Sequence, residues 1–463
     1  MNHLPAPEPD PGTAAPRTRV RGARRAGADA GAAVATGAAA APGAAGAAGA
    51  AHTLAFVESP VQLLNLLEWA HGDAVRRGAS RPSAHGGGGG DGWGSGPPSV
   101  PDCETGPGAG RGSAAPVAAP AVVARPVVGP SVGAVPPPAA PPAAAAASAP
   151  ALTVVVLPPH DPMTRGQLRR MAELARDEGH TVQWAEARGG ASAPVKTIAS
   201  LARPLRRAHR IVIGDPFSRY VQLLLNLTPA TDVVVVDDGT ATMEFVAQLA
   251  SGERLTRWHR KGAGGPRAAL FAPVSRRARH RLTPADGRRV EVFSSMPVDA
   301  AVAGLGVTVT ANDFAWTRTR FGPPRLTKGT DLVGTSLVET GVVDAERYLE
   351  AVAQLARTHG ATRYFAHRRE SAEKLHRVST EAGLEVVRPD LPLELVARRG
   401  PIGHTILSFP STVVHTLPLA LRGTGVQVAV CDVDPAWLTD TASPRAQGFL
   451  SGVTLTARAA RRL

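Results

Sequence analysis

Cysteine is nearly absent, with two residues in a chain of 463, Cys103 in a Gly/Pro tract and Cys431 in an apolar run. That excludes a disulfide framework and a thiolate metal cluster, and it fits a reducing compartment. No run approaches the ~20 apolar residues that a membrane span needs. Acidic charge is in deficit, 38 Asp+Glu against 51 Lys+Arg, for a net charge of +13. A neutral substrate requires no such surface, so anionic partners or an arginine-rich coding bias must account for it.

Glycine and proline are abundant instead, at 49 and 42 residues, and much of that load falls in two stretches. Residues 1–51 are Ala/Gly-rich and read as a disordered tail. Residues 78–150, with the pentaglycine Gly86 to Gly90 and the Pro136-Pro137-Pro138 run, read as a disordered insertion. Such compositions bury too little apolar surface to offset chain entropy. Arg24-Arg25 ahead of an Ala/Gly tract has the outline of an export signal, but the tract is weakly hydrophobic and broken by Pro42, so a cytoplasmic location is expected.

The rest alternates strand and helix. Thr53 to Val57 is a strand and a helix carries Leu63, Leu64, Leu66, Leu67 and Trp69, with Ser59 and Gln62 at the junction. LTVVVLP, TVQWAE, HRIVIG and TDVVVV follow as strands, separated by helices over 165–177, 195–207 and from Phe217. VEVFSSM is one more strand, and residues 299–328 look irregular, with Pro323-Pro324 as the expected hinge. A second series from Thr330 brings TDLVGTSLVE, a helix over 345–357, RYFAHRRES, a helix over 372–382, LEVVRP, PLELVAR, HTILSFPST, a helix over 413–421 and VQVAVCD. Alternation of this kind predicts parallel sheets wound on both faces. The expected fold is α/β of GT-B type, two Rossmann-like domains at 52–325 and 326–445 facing a cleft, with a tail at 446–463 whose end, ARAARRL, is frayed or folded back on the first domain.

Ligands of open α/β sheets bind beyond the carboxyl ends of strands, so the residues there matter most. Val233 to Val236 has no polar face and suits a strand covered on both sides; Asp237 and Asp238 stand at its end, Gly239 permits a sharp exit, and Thr240 is placed to cap the next helix. Asp-Gly is also a common turn dipeptide. His367, followed by Arg368 and Arg369, ends a later strand and is positioned to meet a phosphate. Ser411 and Thr412 open a helix, where hydroxyls and free N–H groups make an anion site or a plain cap.

Together these three sites resemble the motifs of bacterial sialyltransferases and polysialyltransferases: acidic-acidic-Gly, His-Pro and Ser-Ser/Thr. Supporting matches are ESPVQLL at 58–64, GDPFSRY at 214–220, GTSLVETG from Gly334 through Ser336 to Gly341, and PLE at 392–394. The resemblance implies that Asp238 is the general base, with Asp237 as fallback. It implies that His367 protonates or hydrogen-bonds the departing CMP phosphate, that Ser411 and Thr412 bind it, and that Glu394 holds the ribose. The implied reaction is an inverting transfer of sialic acid, or a related CMP-activated acid sugar, to a glycan of surface-polysaccharide type, with no metal and no cofactor. Arg368 replaces the proline of His-Pro, so Arg368 or Arg369 can take over phosphate contact. A catalytically inactive GT-B-like protein that binds an anionic glycan or membrane is the alternative.

Between Arg254 and Arg289 eleven Lys/Arg face only Glu253 and Asp286. This segment is expected to attract an anionic acceptor, to touch the acidic inner face of a membrane, or to be a solvated loop and nothing more. Its two aromatics, Trp258 and Phe271, supply little stacking, so no nucleic-acid partner is expected. Asp432-Val-Asp434 mimics a metal-binding Asp-x-Asp, for which a helix cap is the simpler use.

Overall fold

The computed structural model describes residues 52–79, 152–190, 192–257, 266–298, 300–440, 442, 444–457 and 459–463. Cys103, the expected tail at 1–51 and nearly all of the expected insertion at 78–150 lie outside these residues.

The first half runs β1 (Thr53–Val57), α1 (Pro60–Ala79), β2 (Leu152–Val156), α2 (Pro162–Asp177), β3 (Thr181–Trp184), α3 (Ala193–Arg207), β4 (Arg210–Ile213), α4 (Arg219–Leu225), β5 (Asp232–Val236), α5 (Thr240–Ala250), α6 (Pro266–Arg281), β6 (Arg289–Ser294) and β7 (Thr308–Ala311). Its strands form a parallel seven-stranded sheet in the order β3-β2-β1-β4-β5-β6-β7. After α7 (Ala315–Phe321) the second half adds β8 (Leu326–Val333), α8 (Ala345–His359), β9 (Ala361–Phe365), α9 (Ala372–Glu381), β10 (Glu385–Val387), α10 (Leu393–Arg399), β11 (Ile402–Ser408), α11 (Val413–Ala420), β12 (Gln427–Val430), α12 (Pro444–Thr456) and β13 (Arg461–Arg462). These strands are also parallel, six in the order β10-β9-β8-β11-β12-β13. Two doubly wound sheets in tandem are the GT-B arrangement.

The valine run shows why β5 sits centrally. Val233 and Val235 enter the core on one face of the sheet, Val234 and Val236 the core on the other, and all four are buried. Each contributes about 1.5 to 3 kcal/mol of burial, which no solvated turn could supply. On α2, Leu168, Met171, Ala172 and Ala175 form the buried stripe, and Asp161 caps the helix by accepting the Thr164 N–H at 2.7 Å.

One core crosses between the halves: Leu391, Leu395 and Ala420 of the second pack in the same cluster as Leu63, Phe314 and Trp316 of the first. Glu68 of α1, also buried there, accepts the Trp316 N–H (2.8 Å), the Thr317 N–H (2.9 Å) and the Thr317 hydroxyl, and so ties α1 to the start of α7. Burial pushes the Glu68 carboxyl up to about 7, against those three donors.

Three expectations change. Residues 299–328 are not irregular, since they hold a 3₁₀ turn (Ala300–Leu305), β7 and α7; β7 is a largely exposed edge strand without an apolar pattern, and so left little periodic signal. Pro323-Pro324 lies in the connection between α7 and β8. The C-terminal stretch is not a frayed tail: α12 buries Leu450 and Val453, the latter against Val414 and Val430, while β13 pairs with β12 and Arg462 binds Asp432 at 2.7 Å. Thr240 does not cap α5 either. Gly239 is the N-cap, at φ +65°, and Thr242 Oγ1 accepts the Asp238 N–H at 2.9 Å.

Candidate active site

β5 delivers two aspartates that part company at once. Asp237 is buried, its Oδ2 accepts from the Ser295 N–H (3.1 Å) and hydroxyl (2.8 Å), and its carbonyl accepts from Asn65 at 2.8 Å. It ties β5 to the end of β6. Asp238 turns toward the cleft, where Oδ1 lies 3.5 Å from the Ser59 hydroxyl and Oδ2 accepts from Arg257 Nη2 at 3.0 Å. The same guanidinium nitrogen donates to Asp215 at 2.8 Å. Burial, then the Asp215 charge, pushes the Asp238 carboxyl up to about 6, although Arg257 and a hydrogen bond from Gln62 pull it down. Ser59 and Gln62 therefore stand behind the acid and orient it. Gln62 fits because position 214 is glycine: a Cβ there would lie 2.5 Å from its side chain.

From the other half comes the turn after β9. His367 Nδ1 accepts the Arg369 N–H at 3.2 Å, which leaves the imidazole proton on Nε2. Burial, then Arg368, Arg369 and Lys374, lowers this histidine to about 4, so it is neutral at pH 7. Its own N–H donates to Glu370 Oε2 at 2.5 Å. Glu370 also accepts from Tyr364 at 2.5 Å and pairs with Lys374 at 2.7 Å, and Lys374 donates to the Thr335 carbonyl at 2.9 Å. This buried network fixes the His367 turn against the turn that carries Gly334 and Ser336. Any side chain at Gly334 would collide with Glu370 and Tyr364.

At α11 the hydroxyls are not spent on capping. Thr412 at the N-cap makes no side-chain cap bond, and among the described residues the Ser411 hydroxyl bonds only Ser408, at 3.4 Å. Glu394, in the first turn of α10, is buried and accepts from Thr416 at 2.5 Å, and burial raises its pKa. Arg368 is half-buried and lies in the field of Asp238 and Asp161 from the opposite half.

These walls enclose one cavity of about 350 Å³, lined by Asp237, Asp238 and Gly239 on one side and by Gly334, Ser336, His367, Arg368, Arg369, Glu394, Ser411 and Thr412 on the other. The halves touch at its floor, where a Cβ on Gly239 would lie 2.5 Å from Thr412 Cγ2. The arrangement sets a carboxylate opposite a neutral N–H donor, two hydroxyls and two guanidiniums, a geometry for taking a proton on one wall and holding an anion on the other. Sequence reasoning missed Arg257, Asp215, Glu370 and Lys374. Asp215 lay inside the GDPFSRY match without a role, and Glu370 and Lys374 sit a helical turn apart just beyond His367.

The basic segment is divided among several tasks. Arg257 holds Asp215 and Asp238, Arg289 pairs with Asp232 at 2.7 Å, and Arg281 donates to the Thr228 and Ala230 carbonyls at 2.7 and 2.6 Å. Those three are internal ties, not part of a continuous strip. Arg260 and Lys261 lie outside the described residues. Asp434 caps a 3₁₀ turn through the Ala436 N–H at 2.8 Å, and Asp432 is held by Arg462. Among the described residues no group of three His, Cys, Asp or Glu could hold a metal ion, and no helix is long and apolar enough to cross a membrane.

No protein-family model matches the chain, and no curated protein matches it. Among solved structures, an α/β-galactoside α-2,3-sialyltransferase from the luminous marine bacterium Photobacterium phosphoreum is similar at TM-score 0.38 and 9% identity, over 68% of this chain and 92% of that one. A sialyltransferase from Photobacterium damsela is similar at TM-score 0.37 and 10% identity, over 89% of this chain and 81% of that one. Os79 from O. sativa, in complex with UDP, is similar at TM-score 0.31 and 13% identity, over 66% and 88%. Likeness at this level does not carry chemistry from one chain to another, so function must be read from the side chains.

Proposed function

We propose that the protein is an inverting glycosyltransferase that moves sialic acid, or a related CMP-activated acid sugar, from CMP to a glycan hydroxyl. The observation that carries this reading is the single cavity in which Asp238 faces His367, Ser411 and Thr412. The motif resemblance supports CMP as the nucleotide and Glu394 as the group that accepts from its ribose.

In this reading Asp238 takes the proton of the acceptor hydroxyl as its oxygen bonds to the anomeric carbon. The bond from that carbon to the CMP phosphate breaks on the opposite face, and its electron pair leaves with the phosphate. A base with a pKa near 6 is ionised at pH 7 yet stronger than an ordinary carboxylate, which suits proton removal at neutral pH. On the leaving side the neutral His367 donates through Nε2–H, beside the hydroxyls of Ser411 and Thr412. Donors fixed in advance strengthen as the phosphate gains charge and need no reorganisation. Arg368 and Arg369 supply positive charge for the donor's phosphate and carboxylate. Asp237, bound to Ser295, acts as support for Asp238, not as a second base.

The test is release of CMP from CMP-sialic acid, and from CMP-activated eight-carbon and nine-carbon acid sugars, against UDP-glucose as a control. Release from one of the CMP donors, lost in His367→Ala, is the expected result. Equal turnover of UDP-glucose, or no release from any CMP donor with a panel of glycan acceptors, would overturn the reading.

A further inference from the structure

On the far side of Arg257 the first half holds a second cavity of about 680 Å³, to which Arg188, Arg219, Arg254, Arg257, Arg276 and Arg279 contribute, with the carboxylates of Glu58, Asp215 and Glu253 on the same lining, the first two held by Arg188 and Arg257. Three of these are engaged: Arg188 with Glu58 at 2.7 Å, Arg279 with the Leu249 carbonyl at 3.3 Å, and Arg257 with Asp215 and Asp238. Arg219, Arg254 and Arg276 are exposed and make no ion pair with another described residue. Aromatic rings stand among the guanidiniums, with Arg219 over Phe271 at 5.5 Å and Arg257 over Phe217 at 5.6 Å. Phe217 is buried, so half-buried Phe271 is the ring that suits the apolar face of a pyranose, and guanidiniums without an ion pair suit a carboxylate on it.

Arg257 is the partition between this cavity and the cleft. It lines the second cavity, while Asp238, which it binds, lines the first. A hydroxyl that enters from the arginine side must reach Asp238 past that guanidinium. As long as Arg257 bonds Asp238, the carboxylate is a weaker base and one oxygen is occupied.

We propose that the second cavity is the acceptor site, that it takes a glycan chain end bearing a carboxylate, and that this carboxylate draws Arg257 away from Asp238 and so frees the base. The proposal rests on the transferase reading. An anionic acceptor thereby strengthens the base that deprotonates it, and a neutral acceptor leaves Asp238 paired and the weaker base. Arg257 acts here as a positioning residue, with Asp215, Arg368, Ser59 and Gln62 as the other charged or polar groups that face Asp238, and with Glu58 and Arg188 next to Asp215.

Lactose and 3′-sialyllactose, neutral and carboxylate-bearing probes on one core, provide the test, with donor hydrolysis in buffer as the reference. The expected KM for 3′-sialyllactose is at least tenfold below that for lactose at low salt. The double variant Arg254→Ala/Arg276→Ala should raise it about tenfold, far more than it raises the lactose value. Adding 3′-sialyllactose should shift the acid limb of the wild-type pH profile upward, as loss of a cation must, and should leave the limb of Arg257→Gln in place. Equal KM values for the two probes, or no effect of the double variant, would overturn the proposal. Calorimetric titration of 3′-sialyllactose into the intact protein separates it from the reading beneath it. Donor hydrolysis without sugar binding sinks the acceptor site alone, whereas binding by a protein that turns over no CMP donor overturns its role in transfer.

Discussion

Gly239→Ala tests the contact on which the closed cleft depends. Gly239 sits at φ +65° and ψ −131°, a region that L-residues avoid at a cost of about 1 to 3 kcal/mol. The added methyl would also lie 2.5 Å from Thr412 Cγ2, about 1 Å inside ordinary carbon contact. Relief of that overlap moves α11 and its hydroxyls away from Asp238 by about the same distance, a displacement that can cost on the order of 100-fold in rate. The expected variant has a kcat/KM for transfer lowered about 100-fold and stability lowered by about 2 kcal/mol. The two effects separate in a second background. Thr412→Ser deletes the clashing methyl and keeps the hydroxyl, so Gly239→Ala/Thr412→Ser should regain about tenfold in rate while the backbone strain, and the stability loss, persist. CMP release and urea unfolding read the two quantities. A Gly239→Ala protein within threefold of wild type, or no recovery in the double variant, would refute the account of the contact.

Activity should have an acid limb centred near pH 6, because Asp238 must be unprotonated to act: on a carboxyl at about 6, roughly a tenth is ionised at pH 5 and nine-tenths at pH 7. A kcat/KM profile flat from pH 5 to 8 would contradict this. Lys374→Met removes the counter-charge of a Glu370 side chain that has no exposure, with an expected loss of about 3 to 5 kcal/mol in urea unfolding; a loss below about 1 would mean that the network does not hold the His367 turn. Glu68 holds its proton more tightly folded, at about 7, than unfolded, at 4.5. Its contribution therefore falls as pH rises from 4.5 to 7 and is level above, a change of about 3 kcal/mol that Glu68→Gln should remove. Identical pH dependence of stability in the two proteins would rule out that titration.

The legible parts of this protein are those that local pattern controls. Val233 to Val236 announced a strand covered on both faces, and the residues after it fell at the carboxyl rim of the first sheet, as those after β9 and β11 fell at that of the second, because parallel strands within a sheet point their carboxyl ends the same way. Which of two adjacent aspartates faces the cleft came from the family resemblance and not from local pattern, because it depends on Ser295 from the neighbouring strand. Arg257 was one of eleven cations in a segment and gained its role from Asp215 across another loop. β7 and α12 stayed hidden for a related reason: an exposed edge strand and a helix with a short apolar stripe show little periodicity, and the sheet and core they join define them.

Turnover of CMP-sialic acid by the wild type and by Asp238→Asn, with CMP affinity measured calorimetrically on both, addresses the central claim most directly. The asparagine keeps the shape and the bonds behind Asp238 but cannot take a proton, so CMP should bind equally to both proteins while transfer falls by about 100-fold or more. Transfer within a few-fold of wild type by Asp238→Asn, or a protein that does not bind CMP, would contradict the account.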